Sequence, residues 1–124
     1  MTQEAKVTSE RIQHVASEFL VGRGFHEILT NSLTKVSWTN DHPGIDSEKV
    51  VHVLNPLSKD LGVMRPHMIM GGLEAISYNI KRRQQHVPLF EWGRIYQQSD
   101  KGYKEADQLA IWLCGNHPGP HWSM

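Results

Sequence analysis

Apolar residues recur at helical spacing near the start of the chain, from about Thr8 to Arg23. Thr8 or Ser9 can cap the amino end of this helix, and Gly24 suits the left-handed position just past its carboxyl end. Five apolar residues follow the i, i+3, i+4, i+7, i+8 pattern, which predicts one stripe buried against a sheet. They are Ile12, Val15, Ala16, Phe19 and Leu20.

A second helical segment is predicted to start at Pro66, because proline is favoured at the first helical position. Its large apolar residues form a second stripe: Ile69, Leu73, Ile76 and Ile80. Each glycine of the pair Gly71-Gly72 should cost this helix about 1 kcal/mol relative to alanine. We therefore expect another backbone to pass close to this pair.

The remaining apolar segments are typical of strands. Gln108–Cys114 is apolar on both faces, which predicts a central strand covered on both sides. A turn at Ser99–Gly102 should join it to the preceding strand in a long hairpin. The order α, β, β, α, β, β predicts a single α+β domain over residues 1–124 around a largely antiparallel sheet. The predicted strands are Phe25–Leu33, Val50–Leu54, Val87–Gln97 and Gln108–Cys114, with a loop over Lys35–Lys49.

Composition narrows the class of protein. The chain has 124 residues, 13 Lys+Arg against 13 Asp+Glu, and one cysteine. The balanced charge argues against a large basic face for DNA or another nucleic acid, and the basic cluster Lys81–Arg83 is typical of a solvated helix end. No apolar run suggests a membrane span or a secretory signal. A single cysteine makes a reducing compartment the default, so we expect a cytoplasmic protein without a membrane partner.

The sequence contains one weak candidate for a metal site and none of the common catalytic motifs. The sequence has no phosphate-binding GxxxxGK[ST] loop, no GxGxxG after a strand, no GxSxG and no HExxH. Cys114, His117 and His121 have a spacing that could supply three zinc ligands, but a structural zinc site needs a fourth, so we expect no metal. Glu91 and Arg94 should face opposite sides of their strand and therefore form no acid–base pair.

Several segments stand in a fixed order along the chain: Thr30-Asn31-Ser32-Leu33, Val53-Leu54-Asn55-Pro56-Leu57-Ser58-Lys59-Asp60, Met64-Arg65-Pro66, Gly72-Leu73-Glu74, Tyr78-Asn79 and Leu89-Phe90-Glu91-Trp92-Gly93-Arg94-Ile95-Tyr96. Their most telling positions include Asn55, Pro56, Arg65, Glu91, Gly93 and Arg94. In this order and at this spacing, the segments resemble the beta chain of bacterial phenylalanyl-tRNA synthetase over about residues 8–115.

The resemblance implies a class II aminoacyl-tRNA synthetase core, in which helices flank an antiparallel sheet. We expect this core to be incomplete at its carboxyl end, because no third motif is present. Residues 8–33 would be its first motif, which builds the interface with the alpha chain, and residues 87–114 its second. Candidate interface residues on the first helix are Arg11, His14, Glu18 and Val21. Gln97 stands where the second motif of catalytic chains carries an arginine that binds ATP, and Ser99 where an acidic residue is expected.

We therefore expect a module with no catalytic or cofactor-binding residues of its own. By resemblance, it would support a heterotetramer of two alpha and two beta chains that charges tRNA with phenylalanine. That whole enzyme would use ATP and Mg²⁺ and would contact tRNA through other parts of the complex. Two alternatives stay open: a divergent class II ligase fragment that still binds ATP, and a small soluble module with a Cys/His metal site.

Overall fold

The fold is α+β, as predicted, in a computed structural model that describes residues 2–40 and 42–115, with side chains from Thr8 onward. Two helices lie on opposite faces of a mixed sheet, and a smaller sheet lies beside it. The main elements are α1 (Thr2–Gly22), β1 (His26–Glu27), β2 (Leu33–Thr34), β3 (Val51–His52), β4 (Val63–Met64), α2 (Ile69–Lys81), β5 (His86–Ser99) and β6 (Gly102–Gly115).

The main sheet has the strand order β1-β5-β6. β1 runs parallel to β5, and β5 pairs antiparallel with β6 over its full length, from His86 opposite Gly115 to Ser99 opposite Gly102. The predicted turn is confirmed, since only two residues join the strands. Gly102 has a φ of 112°, a left-handed conformation that a side chain would disfavour.

The single strand predicted over Phe25–Leu33 is wrong. β1 ends at Glu27, the chain then leaves the main sheet, and β2 begins at Leu33 in the smaller antiparallel sheet, β2-β4-β3. Between them the backbone N–H and the hydroxyl of Thr30 both bind Glu91 of β5, which holds the chain away from strand pairing. The loop over Lys35–Lys49 contains two 3₁₀ turns, Val36–Trp38 and Ser47–Lys49, and the strand expected over Val50–Leu54 shortens to β3.

Helix α2 begins at Ile69, three residues after the proline that was expected to start it. Gly72 is buried, and a Cβ atom there would lie 1.8 Å from the indole ring of Trp112. The close neighbours of the glycine pair are therefore side chains, Trp112 of β6 beside Gly72 and Thr30 beside Gly71, and not the backbone that we expected. Trp112 also donates a hydrogen bond from Nε1 to the carbonyl of Ile69 at 3.2 Å.

The apolar stripe of α2 only partly enters the core. Of the four residues that form this stripe, Ile76 is buried, whereas Ile69, Leu73 and Ile80 are about half exposed. The core on this side of the main sheet combines Ile76 with residues before the helix and on both long strands: Met68, Val87, Leu89 and Trp112.

Helix α1 begins at Thr2, so Thr8 and Ser9 lie inside it and are not its caps. Its carboxyl end is as predicted, because Gly24 has a φ of 89°. The burial prediction is wrong for most of the stripe: Leu20 is 7 % exposed, but Ile12, Val15 and Phe19 are 57–58 % exposed. The line of α1 that meets the sheet includes Ser17, whose Oγ accepts a 2.9 Å hydrogen bond from Nε1 of Trp92.

Strand β6 lies at the edge of the main sheet in the described part of the chain, not at its centre as predicted. Trp112 is buried under α2, whereas Ile111 and Leu113, on the opposite face, are about half exposed. Among the described residues, neither helix is long and apolar enough to cross a membrane.

Candidate functional site

The carboxylate of Glu91, on β5, is fully buried. Its two oxygens accept hydrogen bonds of 2.7 Å from the backbone N–H and the hydroxyl of Thr30. One of them also lies 3.7 Å from Nη1 of Arg65, whose residue is 5 % exposed. Arg65 follows β4, so the pair joins the two sheets through opposite charges that are closed off from solvent.

The guanidinium of Arg65 donates hydrogen bonds to other groups of the protein. Nε donates to the carbonyl of Arg94 at 2.8 Å, and Nη1 donates to Oγ1 of Thr30 at 3.0 Å. Its backbone is also fixed, because its N–H binds the carbonyl of Ser32 and its carbonyl accepts from Tyr96. The cavity that Arg65 lines measures only about 10 Å³, too little for a substrate phosphate, so its bonding favours a structural role.

Gly93 explains how the arginine reaches this position. A Cβ at Gly93 would lie 2.4 Å from Nη2 of Arg65 and 2.7 Å from Cε of Met68. A side chain at position 93 would therefore displace the guanidinium of Arg65 from the place where it crosses the strand. Three positions of the resemblance thus meet in one place, Arg65, Glu91 and Gly93, and Arg94 contributes its backbone.

The side chain of Arg94 points to the other face of the hairpin, so Glu91 and Arg94 form no acid–base pair, as expected. Nε donates to Asp107 at 2.9 Å and Nη1 to Glu105 at 3.1 Å, both across the strand pair at the exposed surface. The hydrogen bond to Asp107, followed by the two carboxylate charges, raises the pKa of Arg94 above its ordinary value. This guanidinium is paired as well.

Asn55 and Pro56 lie in the loop after β3 and are not among the residues that bind Arg65 and Glu91. Asn55 has a φ of 53°, a conformation that asparagine tolerates better than most residues. The leucines on either side, Leu54 and Leu57, are at least 90 % exposed. Sequence reasoning missed the role of Thr30, because nothing in its neighbourhood signals that its hydroxyl binds a carboxylate 61 residues away.

Gln97 lines a small cavity, of about 40 Å³, together with Asp46, Lys49 and Pro66. Ligand pockets usually measure about 300–1,000 Å³, so no nucleotide fits there. A larger cleft, of about 560 Å³, separates α2 from the smaller sheet. Lys35 spans it, 3.7 Å from a carboxylate oxygen of Glu74 and over the ring of Trp38.

The metal candidates divide between two parts of the chain. Cys114 is half-buried on the α2 side of β6, packed against the core, whereas His117 and His121 lie outside the described residues. Among the residues that the structure describes, no three His, Cys, Asp or Glu side chains come together to hold a metal.

The side chain of His67 is buried in an unusual way for a histidine. Both of its ring nitrogens are buried without a hydrogen-bond partner in the described structure, and its ring lies 5.1 Å from that of His42. Burial lowers the pKa of His67, so the neutral imidazole is favoured. The adjoining cavity, of about 10 Å³, has room for no more than about one water molecule, so this is a tightly packed site.

An exposed surface that includes apolar side chains lies along α1. The four candidate interface residues, Arg11, His14, Glu18 and Val21, are all exposed, and His14 lies 3.2 Å from Glu18 one turn later. Beside them an open apolar groove of about 770 Å³ runs between the helix and β6; we call it the α1–β6 groove. Its walls include Ile12, Val15 and Phe19 on the helix and Leu109 and Ile111 on the strand.

Known proteins have similar sequences. A family model, the phenylalanyl tRNA synthetase beta chain CLM domain, matches residues 1–124. A phenylalanine–tRNA ligase beta subunit of Porphyromonas gingivalis is 41 % identical over 120 residues, which cover 90 % of this chain and 15 % of that subunit. The corresponding subunit of Bacteroides thetaiotaomicron is 36 % identical over 124 residues, 93 % of this chain and 15 % of its own length.

A relative with lower sequence identity belongs to the same family. The phenylalanine–tRNA ligase beta subunit of Thermotoga maritima is 30 % identical over 106 residues, 85 % of this chain and 13 % of that subunit. The chain thus spans about 15 % of the length of the first two curated relatives. Together with the match along its whole length, these identities show that the chain belongs to the phenylalanyl-tRNA synthetase beta-chain family and corresponds to its CLM domain.

Proposed function

We propose that this chain is an inert, class II synthetase-like module whose role is assembly. It packs against the alpha chain of a cytoplasmic phenylalanine–tRNA ligase, a heterotetramer of two alpha and two beta chains. That complex charges tRNA with phenylalanine, using ATP and Mg²⁺. Other parts of the complex perform the chemistry and bind the tRNA.

One observation carries the inert role: the arginines in and beside the β5–β6 hairpin are already paired. Arg65 is bound to Thr30, Glu91 and the Arg94 carbonyl, and Arg94 is bound to Asp107 and Glu105. Gln97, where a catalytic chain would carry an arginine, has no positive charge. A phosphate needs a charge-assisted donor, preferably a bidentate one, and these side chains do not provide one.

Exposure of α1 supports the assembly role. A surface evolved for burial by another chain presents apolar side chains when that chain is missing. Val21 is 59 % exposed among the polar candidates Arg11, His14 and Glu18. The resemblance assigns this helix to the interface between the alpha and beta chains, where helices of neighbouring chains pack together.

Catalytic silence is tested by phenylalanine-dependent exchange of pyrophosphate into ATP. The isolated chain should give no exchange above a control without protein, since loss of one preorganised donor to a developing charge costs about 10²–10³ in rate. Within an assembled alpha–beta complex, Gln97→Ala should leave exchange unchanged. Exchange by the isolated chain that disappears in Arg94→Ala would overturn the inert role.

Assembly is tested by co-purification of the alpha chain with the beta chain. The charged substitutions His14→Glu and Val21→Glu on α1 should reduce capture without unfolding the module. Circular dichroism checks the fold, and Lys59→Glu, an exposed change on a different element, is the control. Full capture by both folded α1 variants would move the interface to another surface.

A further inference from the structure

We propose that His67 is an acid-sensitive latch: its neutral imidazole keeps the loop of residues 36–49 closed, and protonation of the ring releases that loop. These residues are called the 36–49 loop below. The proposal does not depend on the proposed function, because it concerns this chain alone. It begins from the two ring nitrogens of His67, which are buried and which no described group of the protein binds. Burial without a partner is costly for a polar group and more costly still for a charged one.

The residues on either side of His67 are fixed, so the histidine does not swing out to solvent by itself. Arg65, two residues before it, is buried and is hydrogen-bonded through both its backbone and its guanidinium. Met68, the residue after it, is buried in the core. A positive charge on His67 is therefore relieved by movement of the groups that cover it.

The 36–49 loop covers His67. The ring centroid of His42 lies 5.1 Å from that of His67, and Trp38 lines the same small cavity. In the described part of the chain, the backbone hydrogen bonds of this loop join only residues within it or directly beside it. At the exposed surface, the Gln98 side chain also donates to the carbonyl of Glu48 at 3.4 Å. The loop can therefore detach as a unit without breaking either sheet.

The charged and titratable side chains that face His67 do not balance a proton on its ring. His42, on the loop, is a second imidazole, and Arg65, which lines the cavity beside His67, is a cation. The counter-charge of that arginine, Glu91, already accepts two hydrogen bonds from Thr30. The residues that line the cavity from α2, from β2 and from the segment before β2 are neutral. An imidazolium at His67 would therefore be enclosed without a free carboxylate.

Acid also weakens the loop at His42. Nδ1 of His42 accepts a 3.1 Å hydrogen bond from the backbone N–H of Gly44, so its Nε2 carries the proton of the neutral ring. Further protonation takes place at Nδ1 and removes the acceptor of this bond. Asp46 and Lys49 line a separate cavity, and Glu48 is exposed, so the loop's own charged residues leave this effect unopposed.

The pKa of His67 sets the pH range of the latch. Burial lowers this pKa from its ordinary value of about 6.5; the residue's own backbone partly offsets the effect, and His42 adds to it. Release of the loop hydrates the ring, so its pKa returns toward the ordinary value. The closed loop thus binds fewer protons than the open loop. Its stability is complete above about pH 6.5 and decreases as the pH falls below that value.

Release of the loop joins two spaces that are separate in the closed form. The cavity beside His67 and the cleft of about 560 Å³ between α2 and the smaller sheet share part of their lining, including Thr30, Thr34 and Trp38. Trp38 belongs to the loop and therefore leaves with it. The latch thus controls how far the cleft extends toward His67.

Hydrogen exchange of the 124-residue chain, measured by mass spectrometry at about pH 7.5 and about pH 5, tests the latch. Rates are corrected for the pH dependence of exchange in an unstructured peptide. Protection of the 36–49 loop should fall at least about threefold at the lower pH, whereas β5 and β6 should keep theirs. His67→Gln and His67→Phe, which cannot be protonated, should abolish this fall. The matched control is His52→Gln, at an exposed histidine of β3, and it should respond as the unmodified chain does.

An NMR titration of the His67 ring in the unmodified chain provides a test that needs no substitution, and it should give a pKa below about 6.5. A pKa at or above that value would overturn the proposal. Equal protection of the loop at both pH values would do the same, as would a loss that persists in both His67 variants. Equal loss in the loop, β5 and β6 would show unfolding of the whole domain instead of a latch. Circular dichroism at neutral pH shows whether each variant is folded.

Discussion

The two faces of the β5–β6 hairpin are packed very differently. On the α2 face, the missing side chain at Gly72 admits the Trp112 indole, and the carboxylate of Glu91 is fully enclosed. On the α1 face, Ile111 and Leu113 are about half exposed, and Ile111 borders an open groove. The same hairpin thus has one face that is buried in the core and one face that is partly exposed to solvent. Apolar patterning therefore identifies side chains that favour burial, but not which molecule buries them.

The largest expected effect is on the enclosed face, at the pair of Arg65 and Glu91. Glu91→Gln leaves a buried guanidinium without its counter-charge, which should lower the free energy of unfolding by about 3–5 kcal/mol. Chemical denaturation measures this loss. Glu105→Gln, which removes an exposed partner of Arg94, is the control and should scarcely move the unfolding midpoint.

A double substitution sharpens the same comparison. Arg65→Met with Glu91→Leu removes both charges, so it should cost less than Glu91→Gln alone. If Glu91→Gln were as mild as Glu105→Gln, the enclosed face would not depend on this pair, and the contrast between the two faces would lose its main support.

The elements of the enclosed face were largely predictable from the sequence. The hairpin and its turn follow from alternation and from Gly102, and the presence of α2 follows from its apolar periodicity. The proximity of Thr30 to Glu91 was not predictable, because it depends on how the chain crosses between two sheets. The partner of Gly72 was also missed, since a helical glycine signals close approach without saying whether a backbone or an indole approaches.

On the open face, the periodicity of α1 predicted the helix correctly but assigned its buried side wrongly. Hydrophobic spacing predicts burial for Ile12, Val15 and Phe19 as strongly as for Leu20. The sheet instead contacts the side of the helix that contains Ser17 and Leu20. A polar residue such as Ser17 faces the sheet because Trp92 offers it an indole N–H. Hydrophobic spacing carries no information about such a hydrogen bond.

The second prediction separates these two sides of α1. Leu20→Ala should lower the free energy of unfolding by about 2–5 kcal/mol, because it removes a buried side chain and leaves a cavity. Ile12→Ala removes a similar number of atoms from a residue that is 58 % exposed, and it should cost about 0.5 kcal/mol or less. Chemical denaturation makes the comparison, and equal losses would mean that the α1–β6 groove is closed.

The third prediction concerns close packing under α2. Gly72→Ala places a methyl group within the Trp112 ring, and the forced displacement should cost about 1–3 kcal/mol. Gly22→Ala is the matched control at the end of α1, where a Cβ meets no atom within 4 Å. Because alanine favours helices, this control should preserve or slightly increase stability. Thermal unfolding of both variants measures these changes in stability. If Gly72→Ala left the unfolding midpoint unchanged, Trp112 would have room to move.

The smallest expected effect is that of metal removal, and it tests whether the enclosed face is closed to ligands. Cys114 is half-buried and packs against the core on the α2 side of β6, where a buried thiol behaves as a small apolar group. Zinc binding would require its thiolate to leave that packing and to find three further ligands. We therefore expect elemental analysis after gel filtration to find no stoichiometric zinc and chelators to leave the unfolding midpoint unchanged. About one zinc per chain, lost in His121→Ala but retained in the control His52→Ala, would contradict this and would place a ligand site where the structure shows a packed core.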